Sequence, residues 1–475
     1  MFDPDIAPSG TLLGLLQRGR GDGTLHALAA SRAEALEALN QCVLRDPRRD
    51  WQVENRSLYY ARLYLDLDGD LGALEEHLFA PGDLLDGAEE RTGLALAVLG
   101  HLASYGRADA LALLRRYAAT GGNWAWALDE LALRDDDAGL LSLCAPVLAR
   151  FPHTPEGEAA LTTAVRDAFE PRPWRLWADD ERFPALAARV RAARERGSFD
   201  RWQRQLRPSG PRPGWSVREV LQWADAGLEQ HPAQHRHVPA TRCLTAVAGP
   251  EDREEIIDAA RRGGEAARAT ALRYLAEHHD PQALDLIEAA ADDPAPLVAG
   301  AAVTAFERMR SAAALERARA WIHRPDALGA AAAGMLACRG AQYDAALVLG
   351  ALRRTVRTEG CDAPVLFDLV DGAGRLQIGC AAPVLRHVYR ETASSHLRGR
   401  AARALAATDP SFATGFAVEC LWDCEESTRE LAAHHATTAD ARVVEQLRRL
   451  AADPAEEAEV QSAVRGRFEP DAPAL

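Results

Sequence analysis

From residue 280 onward the chain advances in short amphipathic blocks. After Asp280-Pro281, apolar residues fall at Ala283, Leu284, Leu286 and Ile287, the spacing of a helix with one buried face. Asp followed by Pro is a helix start signal, because the N–H that proline lacks has no partner in a first turn anyway. A second start, Asp293-Pro294, comes thirteen residues later and leads into the segment Leu297 to Phe306. The beat returns at Asp409-Pro410, with a break near Asp423, and again at Asp440, with Asp453-Pro454 thirteen residues on. Two helices joined by a tight turn and recurring at about 30 residues predict a helical-hairpin repeat. One such pair cannot bury its own apolar face, whereas stacked pairs share a continuous core.

The N-terminal half follows the same rhythm less regularly. Ser31 to Leu44 places Ala35, Leu36, Leu39, Cys42 and Val43 on one side, and Asp46-Pro47 ends it. Leu58 to Asp66, Gly93 to Tyr105, Ala108 to Ala119 and Gly139 to Phe151 continue as helices. No strand-like alternation of useful length occurs. From Arg191 to Val217 an Arg-rich run gives way to clustered Pro and Gly, the composition of a connector. The expected fold is all-α, an α-solenoid of stacked antiparallel helix pairs in two arrays. Residues 1–190 would form a degenerate N-terminal array, 191–217 a connector, and 218–475 a C-terminal array.

The second helices carry a resemblance. Leu397-Arg398-Gly399-Arg400-Ala401-Ala402-Arg403-Ala404-Leu405 follows the pattern V-R-x-x-A-x-x-A-L. Ala267-Arg268 through Leu275 and Thr428-Arg429 through Ala432 follow it more loosely, and Leu297 to Val303 keeps the apolar positions without the Arg. These segments resemble HEAT repeats in the short form called PBS-lyase repeats, over roughly residues 251–468. The resemblance implies a structural ladder in which the turn Asp of one repeat pairs with the Arg of a neighbour. Arg268, Arg398 and Arg429, with Asp293 and Asp440, are the candidates. It specifies fold and leaves function open, because such arrays serve many roles.

Composition then narrows the function. All 55 basic residues are Arg, so a P-loop lysine, a Schiff-base lysine and a kinase-type lysine are excluded. Richness in Ala, Arg, Gly and Pro points to a GC-rich bacterial coding background. A net charge of −15 disfavours general nucleic-acid binding, which needs a basic field. The acidic, Pro-containing start MFDPDIAPSG does not resemble a signal peptide, and the nearly apolar run Ala327 to Cys338 is too short for a membrane span, so a cytoplasmic protein without membrane contact is expected. The eight cysteines, in a chain read as cytoplasmic, are expected as buried free thiols.

Candidate sites are few. Asp46 to Tyr60 packs Arg48, Arg49, Asp50, Trp51, Arg56, Tyr59 and Tyr60 around one turn, residue types common at interface hot spots. These seven are the candidate partner-binding residues, with an internal polar network as the competing reading. Trp124, Trp126, Trp174 and Trp177 are expected to pack as core. The arginines 201, 204, 207 and 212, interleaved with Trp202 and Trp215, are expected on a surface linker; an Arg/aromatic surface for an acidic partner or nucleic acid is the alternative. His231, His235 and His237 lack a completing carboxylate, and Cys420 with Cys424 lacks a second ligand pair, so no metal site is expected. No nucleophile or cofactor motif occurs, so no catalytic residue is assigned and no cofactor is expected. The expected function is a non-enzymatic scaffold that binds another protein of basic or salt-sensitive surface through a solenoid groove. A HEAT-like DNA glycosylase and a bilin-lyase-type chaperone-enzyme are the alternatives that the resemblance raises.

Overall fold

The computed structural model describes residues 6–48, 51–85, 89–205, 214–230 and 236–468. Every regular element among them is helical, and no strand occurs there. The sequence explains the helices directly. Ala, Leu, Arg and Glu dominate and have the highest helix propensities. Ser31, Thr154 and Asp326 cap their helices by accepting the backbone N–H of Glu34, Gly157 and Gly329. Gly360, at φ 86°, supplies the left-handed residue that ends helix Ala345–Glu359. Neighbouring helices pack in a repeat-like succession, as the amphipathic period predicts.

The chain divides into two compact units. One holds residues 208–389 and 403–409. Its helix pairs include Ala283–Ala291 with Pro296–Arg308, Ala312–Trp321 with Ala327–Arg339, and Ala345–Glu359 with Leu366–Arg375. The second helices also pack on one another in chain order, from Glu265–Glu277 through Pro296–Arg308 and Ala327–Arg339 to Leu366–Arg375. Small residues set how closely they approach. A Cβ on Gly372 would lie 2.6 Å from the Cα of Ala337, so these helices meet backbone to backbone. Helix Ala327–Arg339 buries Ala331 to Ala337 against neighbours on several sides, which accounts for its apolar run. No helix of the described residues is long and apolar enough to cross a membrane.

The other unit holds residues 1–207, 390–402 and 410–475, and so joins both parts of the chain. Its core includes Leu16, Leu39, Tyr60, Leu99, Leu114 and Trp177. Helix Gly21–Ala29 packs against helix Phe416–Cys420, and the amide of Cys424 donates to the carbonyl of Gly19 at 2.9 Å. Residues 390–402 and 410–468, which sequence periodicity places with a C-terminal array, thus pack in the unit built around the N-terminal helices. Periodicity reports that a helix has an apolar face, not which distant segment covers it. Helix Pro184–Gln205 also extends through the first part of the expected connector 191–217, and residues 206–213 lie outside the described ones.

Two glycines test this packing with opposite signs. A Cβ on Gly21 would run into the carbonyl oxygen of Glu419, so Gly21→Ala should cost about 1–3 kcal/mol and lower the melting temperature. Gly300 lies mid-helix with nothing within 4 Å of its added Cβ, so Gly300→Ala should gain about 0.5–1 kcal/mol. Thermal unfolding of the two variants beside the wild type reads both.

Candidate functional site

The Arg–carboxylate contacts come first, because they position the helices that carry everything else. Arg268 pairs with Asp293, Arg319 with Asp344, and Arg253 with Asp280. In the other unit Arg398 donates to Asp423 at 2.8 and 2.9 Å, and Arg429 to Glu456 at 2.6 and 2.9 Å. Several of these acids also hold their own turn: Asp280, Asp293 and Asp423 each accept the backbone N–H two residues on. The hydrogen bond from Arg268, aided by that turn amide, holds the Asp293 carboxyl below the usual range. Arg268, Asp293, Arg398 and Arg429 therefore take part in pairing of the kind the resemblance implies. Asp440 does not: it is bonded to the amide and side chain of Arg442 and caps its own helix Ala441–Ala452.

The burial of these pairs differs. Arg398 and Asp423 are fully enclosed, and Arg398 also donates to the carbonyl of Gly19 at 3.2 Å. Arg268 keeps about a fifth of its side chain in solvent.

The described members of the polar-aromatic cluster are interior. Arg56 is 0% exposed; one of its terminal nitrogens donates to Glu54 at 3.1 Å and to the carbonyl of Ala393 at 2.8 Å. Glu54 in turn accepts from the hydroxyl of Ser394 and from the amide of Ser395 at 2.7 Å. Arg48 pairs with Asp46 and donates to the carbonyl of Glu54. Tyr59 and Tyr60 donate to the carbonyls of Arg20 and Leu16. Trp51 is buried against Gly93 and meets Trp126 edge-on at 5.5 Å. Arg49 and Asp50 lie outside the described residues. The cluster is thus arranged as a polar network inside its unit. Burial alone would raise the Glu54 carboxyl, but Arg56, Ser394, the Ser395 amide and Arg398 hold it below its ordinary value.

Beside this network lies a cavity of about 100 Å³, lined by Tyr59, Arg62, Tyr105, Trp422, Arg449 and Asp453 among others. Its polar walls bond to one another. Arg62 pairs with Asp453 and Glu456, Tyr105 donates to Asp453 at 2.8 Å, and Arg449 pairs with Asp66 at 2.6 Å.

The remaining sequence candidates resolve simply. Trp174 and Trp177 are buried with ring centroids 4.9 Å apart, and Trp124 meets Trp174 edge-on. His237 opens helix His237–Val247, while His231 and His235 lie outside the described residues. The side chains of Trp202 and of arginines 201, 204, 207 and 212 lie outside the described ones, while Trp215 meets Trp223 edge-on at 6.3 Å. Cys42, Cys144 and Cys420 are buried as expected, but Cys338 and Cys380 are exposed. Cys338 escapes burial because it ends the solvent-facing stripe of an otherwise enclosed helix.

That stripe belongs to an open, largely apolar groove. It runs across helices Pro296–Arg308, Ala327–Arg339 and Leu366–Arg375, with a volume of about 520 Å³. Val303, Ala330, Ala331 and Gly334 contribute its apolar surface, and Glu307, Cys338 and Asp368 its polar points. Gly334 leaves the Asp368 carboxyl its room, because an added Cβ would stand 2.9 Å from an Asp368 oxygen. Burial, and then the Asp368 charge, push the Glu307 carboxyl up. Glu307 and Asp368 have no ion-pair partner among the described residues. Sequence reading missed this site. Its one visible signal was the small-residue run Ala327 to Cys338, which periodicity could not orient.

Compared with known proteins, the chain matches no protein-family model, no curated protein and no solved structure. Any functional reading therefore rests on the site itself.

The ladder and the network each give a measurable expectation. Arg398→Ala leaves Asp423 buried without its cation and should cost about 3–5 kcal/mol, whereas Arg268→Ala, at a pair that is partly in solvent, should cost much less. Urea denaturation of the two variants, Arg268 being about one-fifth exposed, compares them. Because the folded Glu54 carboxyl lies below its ordinary 4.5, its stabilisation is present above that value and lost as the pH falls through the folded one. The urea midpoint should therefore drop as the pH is lowered past 4.5, and more steeply for the wild type than for Glu54→Gln.

Proposed function

We propose that the chain is a non-enzymatic helical-repeat protein of the HEAT-like type that binds another protein through the groove of residues 296–375. The observation that carries this reading is the groove itself: an open site of about 520 Å³ crossing three successive second helices. Its Ala/Gly floor lets a partner's backbone come close, and its length along several repeats suits an extended or helical segment. A ligand would meet a rigid surface, since the helices beneath are fixed by backbone-to-backbone packing and by the Arg–Asp contacts. The acids of the groove repel phosphate, which favours a protein over a nucleic acid. Exposed charge at the rim makes the association salt-sensitive.

Affinity capture from the host, using the full chain and Ala330→Phe, tests this directly. Ala330 is only partly buried and faces the groove, so a phenyl ring there fills the site without entering the core. Proteins retained by the wild type and lost from Ala330→Phe are the expected result. Recovery of nucleic acid alone, or the same proteins on both baits, contradicts the reading.

A further inference from the structure

The charge pattern of the groove departs from the rest of its unit. Several acids of the unit meet a guanidinium from a neighbouring helix: Asp293 from Arg268, Asp280 from Arg253, Asp344 from Arg319, and Asp285 from Arg317. At Glu307 and Asp368 two carboxyls stand on either side of helix Ala327–Arg339, neither with an ion-pair partner among the described residues; Arg308, next to Glu307, turns to Glu277 at 3.8 Å. Gly334 keeps the space above that helix clear, and the thiol of Cys338 lines the same side beside Asp368. Of the two arginines on the groove, Arg339 is held by the carbonyls of Met309 and Arg310, so its charge turns to backbone oxygens. Arg310 lies at the exposed edge. Two like charges facing a shared space repel each other, and an arriving cation removes that cost.

We infer that the groove takes a protein segment bearing an arginine or lysine, whose cationic group sits over Gly334 between Glu307 and Asp368. This inference rests on the protein-binding reading above. An apolar stretch of the segment would lie along Val303, Ala330 and Ala331, and the cation would supply register. Arginine fits best, because its planar fork can meet two carboxylates at once.

A display library of random dodecapeptides, selected on the full-length wild type and counter-selected on Ala330→Phe, provides the test. The expected result is enrichment of peptides with a basic residue at a recurring position. Their affinity should fall about tenfold or more for Glu307→Gln/Asp368→Asn, the loss of both charge contacts. The double variant removes repulsion and should keep the wild-type melting temperature; the single variants, carried alongside, should each weaken binding. Bound peptide should also protect Cys338 from alkylation at alkaline pH while leaving the exposed Cys380 reactive. Enriched peptides that lack a basic residue, or that bind the double variant equally well, overturn this inference and leave the protein-binding groove standing. No enrichment over Ala330→Phe overturns both.

Discussion

A guanidinium donated from one repeat to the turn carboxylate of the next is the contact on which the rest depends. The carboxylate is already fixed, because Asp280, Asp293 and Asp423 each accept an amide of their own turn. The arginine therefore meets a stationary target, and the pair sets the offset between neighbouring hairpins. Arginine suits this better than lysine, since its fork can meet both oxygens of one carboxylate, as Arg398 does on Asp423. Spacing fixed in this way brings the second helices side by side. Their small residues then pack backbone to backbone, as Gly372 does on Ala337, and the stripes left in solvent merge into one groove.

The same contact works in two environments. In residues 208–389 its arginines remain partly in water, where such pairs contribute modestly and act mainly as spacers. In the unit that holds both parts of the chain, Arg398, Asp423 and Glu456 are enclosed, and Arg56 and Glu54 add a second buried layer. The carboxylates there are tolerated because each accepts hydrogen bonds, as Glu54 does from Ser394 and Ser395 and Glu456 from Arg429. An enclosed network of this sort is demanding of shape. It ties the N-terminal helices to residues 390–402 and 410–468 more specifically than apolar contact alone would.

Much of the fold was legible in the sequence, because helix spacing, Asp-Pro starts and the Arg/Ala pattern are local signals. Arg268, Arg398 and Arg429 could be singled out for the same reason. Asp440 shows the limit: an Asp before a helix signals a cap, and only the neighbouring turn decides whether an arginine also reaches it. Arg48, Trp51, Arg56, Tyr59 and Tyr60 show another. Their composition is shared by interfaces and by buried polar networks, and part of what encloses them, the segment Ala393 to Ser395 that meets Arg56 and Glu54, lies more than three hundred residues away. Glu307, Gly334 and Asp368 carry no motif at all. They form a site only because three helices bring them onto one face.

The central claim is that the repeats are coupled through these charged pairs and not merely decorated by them. A double-mutant cycle on Arg429 and Glu456, with Arg429→Met, Glu456→Gln and the combined variant compared by urea denaturation, tests it most directly. Contact through the pair predicts a coupling of about 1 kcal/mol or more. Additive losses, within about 0.5 kcal/mol, would contradict the account.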